Sequence, residues 1–428
     1  MEYASGAVLD SSGDDRSSGD RRRTPGRRGG GPPRKGGRGG RGKNGGRKRK
    51  DPLWAKLLVG FGALLMLSSG GLIFGSKVIL AAATKSVTQQ DLLGAASGKD
   101  RAHATISGAK NILLIGVDNR PGQNPNDLVR SDSIIILHIT ASHDVGYMVS
   151  IPRDTEVSIP AYNNGKHSYA GGRDKINAAF AFGSQGLTGN AARQNGVELL
   201  EKTIQGLPGM AGMTFDAGAI VDFTGFQQVV NVLGGVTMYV DETTTSIHVG
   251  FTSNGTEKMP ERIDPGTGEL LGPVPGVTPE VYTKGTHHLS AWQALDYVRQ
   301  RDKLANGDGD YGRQRHQQQF IKALFKEILS SDTLTNPSKL NKVLDTVGQA
   351  MTIDTGGVKL TDWIFAMRNI SADSLVTIKT NDGQYDNGEE NGSSVQLLSD
   401  TSMQLLQCVK DDNVGTFVQL HPDWVAAS

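Results

Sequence analysis

The chain has 428 residues, of which 21% are charged, and its formal net charge is +1. That balance hides a division, because residues 1–56 carry 16 basic and 6 acidic side chains whereas the remainder carries 29 basic and 38 acidic ones. An acidic body lacks the basic face of a nucleic-acid-binding domain, so we expect no nucleic-acid partner for it. The single cysteine, Cys408, excludes an intramolecular disulfide.

The N-terminal tail, residues 1–52, is rich in Gly, Ser, Pro, Lys and Arg and is predicted to be disordered. Its composition favours a solvated basic segment in the cytoplasm that touches anionic lipid headgroups. The alternative is an RGG-type segment that binds RNA. Anionic lipid is already a sufficient binding partner for a basic tail beside a membrane, which favours the first interpretation.

A stretch of 20 residues without a charge, residues 57–76, follows the tail. At 1.5 Å per residue it is about 30 Å long as a helix, which is the hydrocarbon thickness of a bilayer. We therefore predict a transmembrane anchor over residues 53–83, in preference to a cleaved signal peptide. Basic residues cluster before the span, so the positive-inside rule places the N-terminus in the cytoplasm and the body outside the cell membrane.

The body is predicted to be one extracytoplasmic domain, residues 111–428, on a stalk formed by residues 84–110. Short apolar runs predict strands at Asn111–Val117, Ser133–Thr140, Val145–Ile151, Ala217–Asp222, Val236–Val240 and Leu375–Lys379. Helical periodicity predicts helices at Ala191–Ile204, Phe226–Leu233, Gln314–Leu329, Leu340–Ala350, Leu360–Met367 and Val395–Val409. The alternation indicates an α/β fold, and the Gly- and Pro-rich residues 243–286 are predicted to form a long surface insertion.

Charged residues stand at the ends of the first three predicted strands. Asp118 follows the first strand, Arg130 and Asp132 open the second, and Arg153 and Asp154 close the third. If these strands are neighbours, their ends share one edge of the sheet, and antiparallel pairing brings Asp132 to that edge. Two carboxylates at this edge would hold a hard divalent cation such as Mg²⁺.

Further arginines follow in the last third of the chain. Arg299 and Arg301 are two positions apart, so in an extended segment their side chains point the same way. Arg313, His316 and Gln317 are spaced i, i+3 and i+4 on a predicted helix, which indicates a shared face. Arginine keeps its charge and offers a fork of donors, so an arginine cluster facing Mg²⁺ suits a pyrophosphate. Surface salt bridging is the alternative for each residue alone.

Six sequence motifs occur in a characteristic order. They are NILLIGVDNR (Asn111–Arg120), RSDSIIILHI (Arg130–Ile139), SIPRDTEVSIP (Ser150–Pro160), KINAAFAFG (Lys175–Gly183), ALDYVRQRD (Ala294–Asp302) and GDYGRQRHQQQFIKAL (Gly309–Leu324). Together they resemble the LytR-CpsA-Psr family, which attaches wall glycopolymers to peptidoglycan. The resemblance implies a single α/β/α domain around a mixed central sheet, with an apolar tunnel for a polyprenyl chain.

Individual roles are carried over from the family motif by motif. The resemblance implies that Asp118 and Asp132 bind Mg²⁺, with Mn²⁺ as a possible substitute. It implies pyrophosphate-binding roles for Arg130, Arg153, Lys175, Asn177, Arg299, Arg301, Arg313 and Gln317. Catalytic roles are implied for Arg153, Asp154, Arg299, Arg301 and Arg313. The family usually has Arg where this chain has His316, so the charge there becomes pH-dependent.

The implied activity is a magnesium-dependent phosphotransfer. A muramic acid hydroxyl of peptidoglycan attacks the sugar-linked phosphate of a polyprenyl-pyrophosphate-linked glycopolymer such as wall teichoic acid, and polyprenyl phosphate leaves. The implied partners are the lipid-linked glycopolymer, peptidoglycan and membrane lipid. Two alternatives remain open: a pyrophosphate hydrolase that acts on the same donor with water, and a non-catalytic membrane protein whose tail binds RNA.

Overall fold

A computed structural model describes most of the predicted body. It describes Leu92 and residues 106–118, 128–264, 268–328, 336–358, 362–363, 366–367, 369–390 and 392–426. The predicted tail, the transmembrane anchor and most of the stalk lie outside the described residues. Within the described ranges, no helix is both long enough and apolar enough to cross a bilayer.

Nineteen strands are described. They are β1 (Lys110–Val117), β2 (Ser131–Ile139), β3 (Gly146–Ser150), β4 (Glu156–Ile159), β5 (Tyr162–Asn163), β6 (Ser168–Tyr169), β7 (Gly172–Lys175), β8 (Ala217–Asp222), β9 (Val236–Val240), β10 (Thr244–Thr252), β11 (Glu257–Lys258), β12 (Glu261–Ile263), β13 (Leu270–Pro273), β14 (Val277–Tyr282), β15 (Gly285–Leu289), β16 (Met351–Asp354), β17 (Leu375–Ile378), β18 (Asn387–Glu390) and β19 (Ser393–Gln396).

Eight α-helices are described with them. They are α1 (Ile176–Ser184), α2 (Gly189–Gln205), α3 (Phe223–Leu233), α4 (Ala291–Arg299), α5 (Gly309–Ile328), α6 (Pro337–Ala350), α7 (Asp400–Lys410) and α8 (Val414–Leu420). Short 3₁₀ helices occur at Ala372–Ser374, Thr380–Gly383 and Pro422–Trp424.

The central sheet has six strands in the order β16-β8-β1-β2-β3-β17. β2 is antiparallel to both of its neighbours, β1 and β3. β8 lies parallel to β1, and β17 lies parallel to β3. β16 closes one edge antiparallel to β8. The predicted α/β class and the mixed central sheet are therefore confirmed.

Helices cover both faces of this sheet. Successive side chains of a strand point to opposite faces, so a strand that is covered on both sides reads as a continuous apolar run. In β1, Leu113 and Ile115 are buried with residues of α1, α2 and α7 in the main core. Ile112 and Leu114 pack on the opposite side, in a cluster that also contains Phe325 of α5. Burial of each Leu or Ile contributes about 1.5–3 kcal/mol to folding.

Several predicted elements differ from the structure. Residues 243–286 are largely strand: β10, β11 and β14 form a three-stranded sheet and β12 pairs with β13. The predicted helix Val395–Val409 is wrong at its start, because Ser393–Gln396 is a strand and the helix begins at Asp400. Ser399 caps that helix by accepting a hydrogen bond from the Ser402 N–H. Much of the predicted helix Leu360–Met367 lies outside the described residues.

Candidate functional site

The residues predicted at the strand ends meet at one edge of the central sheet. β1 and β3 run in the same direction and β2 runs against both. The ends of β1 and β3 therefore lie beside the start of β2, which brings Asp118, Asp132, Arg153 and Asp154 to one edge. The pairing of β1 with β2 shifts register after Gly116, so Asp132 lies at a β-bulge. A bulge turns a side chain away from the regular alternation, as often happens beside active sites.

Arg153 links the acidic groups at this edge. Its Nη1 donates to Asp132 Oδ1 at 2.8 Å, and its Nε lies 3.6 Å from Asp154 Oδ2. Lys175, at the end of β7, places its Nζ 3.1 Å from the other Asp154 oxygen. Burial acts to lower the pKa of Arg153, but Asp132 and Asp154 outweigh it and the pKa is raised. Arg153 is therefore a fixed cation between two carboxylates.

Arg130 and Asn177 form a second predicted pair. Arg130 is exposed, and its Nη1 donates to Asn177 Oδ1 at 3.0 Å. Asn177 is buried in the first turn of α1, directly after Lys175 and Ile176. The N–H groups of Ile176 and Asn177 already donate to the carbonyls of Thr155 and Arg153, so it is the positive end of the helix dipole that favours an anion here. The structure thus places Lys175, Asn177 and Arg130 on one side of the edge.

Helix α5 contributes Arg313 and Gln317 from the opposite side. Arg313 Nη2 donates to the backbone carbonyl of Asp132 at 3.2 Å and lies 2.5 Å from Asp310 Oδ1. Gln317 accepts a hydrogen bond from the Ser133 hydroxyl at 2.8 Å. Both contacts dock α5 onto the start of β2. Sequence reasoning missed Asp310 and Ser133, although an acidic residue in a first helical turn was a usable signal.

Arg299 and Arg301 lie where α4 ends. The Arg299 guanidinium lies over the Phe223 ring, 4.5 Å from its centroid, and the side chain lines the cavity described below. Arg301 is more exposed, with its Nε 3.6 Å from Asp302. Burial and the positive charges of Arg153 and Arg301 lower the pKa of Arg313, against the opposing effect of Asp310. Arg153 and Arg301 are therefore close enough to repel Arg313.

The buried Nε atoms of Arg153 and Arg313 have no hydrogen-bond partner among the described residues. Most buried donors in folded proteins have one, so unsatisfied donors need an explanation. Two mutually repelling guanidiniums with spare donors fit an anion that supplies acceptor oxygens. The site therefore has the donor set for a phosphate group.

A cavity of about 180 Å³ lies between the sheet and helices α3, α4 and α5. Its walls are mostly apolar and include Leu114, Ile135, Phe226, Val298, Phe320 and Leu324. Asp132, Ser133, Arg299 and Gln317 line it at the charged edge of the sheet. A wider, more polar groove of about 700 Å³ shares Val117 and Asp222 with it. An apolar cavity that ends beside Arg299 suits an amphiphile with an anionic head.

The three residues predicted to share one face of α5 contact two different parts of the protein. Arg313 and Gln317 face Asp132 and Ser133, whereas His316 is buried against Asp241 and Glu242, at the end of β9. Burial would raise the pKa of Asp241, but His316 and Arg315 outweigh it and lower the pKa. The structure therefore brings Arg313 and Gln317 to the start of β2 and His316 to the end of β9.

Asp118 and Asp132 were predicted to hold a divalent cation. Asp118 follows β1 and Asp132 lies at the start of β2, at the same edge of the sheet, and both offer only carboxylate oxygens. Mg²⁺ prefers oxygen ligands and commonly combines one or two carboxylates with water and substrate phosphates. Asp132 already accepts from Arg153, with its side chain 27% exposed, so one of its faces remains open to solvent. The donor set fits Mg²⁺ or Mn²⁺.

Comparison with known proteins decides the family. The LytR_cpsA_psr family model matches residues 77–410. The chain belongs to the LytR_cpsA_psr family. Within the LytR_cpsA_psr family, the polyisoprenyl-teichoic acid–peptidoglycan teichoic acid transferase TagU of Oceanobacillus iheyensis is 30% identical over 335 residues, covering 76% of this chain and 84% of TagU.

Two further relatives extend the comparison. The cell wall biosynthesis protein LcpA of Corynebacterium glutamicum is 27% identical over 306 residues, which cover 66% of this chain and 52% of LcpA. The chain thus spans about half the length of LcpA. The crystal structure of protein gbs0355 from Streptococcus agalactiae is similar with a TM-score of 0.50 and 24% identity, covering 72% of this chain and 88% of that one. That likeness supports the fold alone.

Proposed function

We propose that this protein is a membrane-anchored glycopolymer transferase that attaches a polyprenyl-pyrophosphate-linked polymer to peptidoglycan outside the cell membrane. The observation that carries the proposal is the apolar cavity that ends at Arg299 and at Asp132, which Arg153 and Arg313 both contact, since the donor combines an apolar chain with a diphosphate. Membership of the LytR_cpsA_psr family and the name of the TagU relative support the same substrate class. The predicted span over residues 57–76 supplies the anchor.

In this proposal the part of the polyprenyl chain next to the diphosphate occupies the cavity, and the diphosphate lies among the arginines. Arg153 and Arg313 would donate their spare Nε–H groups to phosphate oxygens, and Arg299 would contact the head where the cavity ends. Arg130, Arg301, Lys175, Asn177 and Gln317 would complete the surroundings of the diphosphate. Preorganised cations stabilise the charge that develops on a departing phosphate and are worth about 10²–10³-fold in rate for each donor.

The acceptor is a muramic acid hydroxyl of peptidoglycan. A bond forms between the hydroxyl oxygen and the sugar-linked phosphorus, while the bond from that phosphorus to polyprenyl phosphate breaks. Asp154 is the proposed proton acceptor, because its two partners, Lys175 and Arg153, fix its position beside the arginines. Asp118 and Asp132 would hold Mg²⁺, which supplies charge neutralisation at the diphosphate when bound.

The experiment uses the full-length chain in detergent with a labelled lipid-linked donor, with and without peptidoglycan. We expect polymer joined to peptidoglycan by a phosphodiester and release of polyprenyl phosphate, both detected by mass spectrometry. The matched control is Arg173→Ala, which removes an exposed arginine of β7 that pairs with Glu156. Equal donor consumption with and without peptidoglycan, yielding free phosphorylated polymer, would identify a hydrolase and refute the transferase.

A further inference from the structure

A second cluster of ionisable side chains lies where the end of β9 meets α5. Asp241 and Glu242 directly follow β9, His316 and Arg315 come from the second turn of α5, and Asp308 directly precedes that helix. Arg315 pairs with all three carboxylates: its Nε lies 2.5 Å from Asp241 Oδ2, and its other nitrogens contact Glu242 and Asp308. None of these residues is used in the proposed transfer.

His316 is the residue that this ion-pair network leaves unexplained. Its side chain is fully buried and stacks on Tyr297, with ring centroids 4.2 Å apart. Its Nε2 lies 3.5 Å from Asp241 Oδ1 and 3.4 Å from Glu242 Oε1. Both separations exceed the usual N–H···O distance of about 2.9–3.0 Å. Neither ring nitrogen, nor Asp241 Oδ1, has a hydrogen-bond partner within the described part of the chain.

The charges of the cluster also do not balance. Asp241, Glu242 and Asp308 carry three negative charges, and Arg315 supplies one positive charge. Apart from His316, the cluster therefore holds two uncompensated negative charges in a largely buried place, with Glu242 only 2% exposed. Buried charges are normally paired or bind metals. One divalent cation would balance the count.

We propose that His316 Nε2, Asp241 Oδ1 and Glu242 Oε1 bind a divalent transition-metal ion, with Zn²⁺ as the preferred species. One ligand atom from each of the three residues lies within 4.8 Å of the other two. Bonds of about 2.0–2.1 Å to a tetrahedral Zn²⁺ place neighbouring ligand atoms about 3.3–3.4 Å apart. The observed contacts of 3.4 and 3.5 Å from the imidazole match that spacing better than they match hydrogen bonds.

The donor set separates this site from the pair Asp118 and Asp132. A site with an imidazole nitrogen suits Zn²⁺, whereas an oxygen-only site suits Mg²⁺ or Mn²⁺. The ion at His316 would join the end of β9 to the second turn of α5. Because Arg313 and Gln317 lie on the same two turns, the metal would act as a structural clamp that positions them. His316 is therefore a positioning residue and makes no contact with the transferred phosphate.

The test measures metal binding directly. Full-length protein without a polyhistidine tag is treated with a chelator, loaded with Zn²⁺ and desalted, and its zinc content is measured by mass spectrometry. We expect one tightly held Zn²⁺ per chain in the wild type and in Asp132→Asn. His316→Gln should weaken Zn²⁺ binding at least about tenfold, the lower end of the loss caused by removing an outer-shell partner. The matched control His288→Gln, an exposed histidine that contacts Gly234, should bind as the wild type does.

Wild-type protein that retains no Zn²⁺ would overturn the proposal. So would Zn²⁺ that His316→Gln holds as tightly as the wild type, or Zn²⁺ that Asp132→Asn alone loses. If circular dichroism shows that His316→Gln is unfolded, the extended X-ray absorption fine structure of Zn²⁺ bound to the wild type decides. Nitrogen and oxygen ligands lie at overlapping distances of about 2.0–2.2 Å, so the readout is the multiple scattering of an imidazole ring, whose presence supports the site and whose absence contradicts it. None of these outcomes depends on glycopolymer transfer.

Discussion

Replacing Arg313 by lysine and by alanine separates the charge of this side chain from its shape. Arg313 is 8% exposed, pairs with Asp310, which is 13% exposed, and donates to the Asp132 carbonyl. Its Nε has no hydrogen-bond partner among the described residues and is the donor that we assign to the diphosphate. Alanine removes all three interactions. Lysine keeps a positive charge for Asp310 but has no planar fork.

The two substitutions should therefore differ in stability more than in rate. Arg313→Ala leaves Asp310 buried without its cation, which costs about 3–5 kcal/mol when a buried pair loses one partner. Arg313→Lys should lose about 1 kcal/mol, the value of one neutral hydrogen bond. Both variants lack the donor to the departing phosphate, so each should transfer polymer about 10²–10³-fold more slowly.

Urea unfolding of the full-length chain, followed by tryptophan fluorescence, measures the free energy of unfolding. Single-turnover transfer of a labelled donor to peptidoglycan measures the transfer rate. Arg173→Lys is the matched control, because Arg173 is 59% exposed and pairs with Glu156 away from the edge. An Arg313→Lys protein that transfers polymer at the wild-type rate would refute the assigned role of the guanidinium. An Arg313→Ala protein as stable as the wild type would refute the buried ion pair.

Three further outcomes are expected. Asp132→Asn should slow transfer about 100-fold while changing the free energy of unfolding by less than about 1 kcal/mol. EDTA should stop transfer by the wild type until Mg²⁺ or Mn²⁺ is restored. Full activity of the variant in EDTA would exclude a metal site at Asp118 and Asp132. Ala219→Leu should fill the apolar cavity and raise the KM for a long-chain donor, whereas Ala191→Leu on an exposed turn of α2 should not; equal KM values would place the lipid elsewhere. A reporter fused after Ser428 should be active only outside the cytoplasm, and a cytoplasmically active fusion would overturn the predicted topology.

The edge of the sheet that carries the site could be predicted because strands that are consecutive in the chain commonly pair as neighbours. A continuous apolar run such as Asn111–Val117 identifies a strand that is covered on both faces. Antiparallel pairing of three consecutive runs places the end of the first, the start of the second and the end of the third together. The observed contact between Arg153 and Asp132 confirms that reasoning.

Elements that depend on distant pairing were not predictable in the same way. Most strands of residues 156–175 and 243–286 are short, and they pair mainly with strands of the same segment. Their local sequence therefore carries little periodicity. At Val395–Val409 the apolar pattern continues across a strand, a turn and a helix, and only the Ser399 cap marks the true start of the helix. The secondary structure of these segments depends on tertiary pairing, which the local sequence does not encode.

The different surroundings of Arg313, His316 and Gln317 on α5 have a geometric reason. Each residue of an α-helix advances about 100° around the axis, so position i+3 lies about 60° to one side of position i and i+4 lies about 40° to the other. Two positions on one broad face can therefore meet different neighbours when that face lies over a boundary between elements. Here Arg313 and Gln317 reach the start of β2, while His316 reaches the end of β9. A histidine at that position leaves the diphosphate to the arginines and brings an imidazole to two carboxylates, which is why one turn of α5 can serve both the proposed transfer and the proposed zinc site.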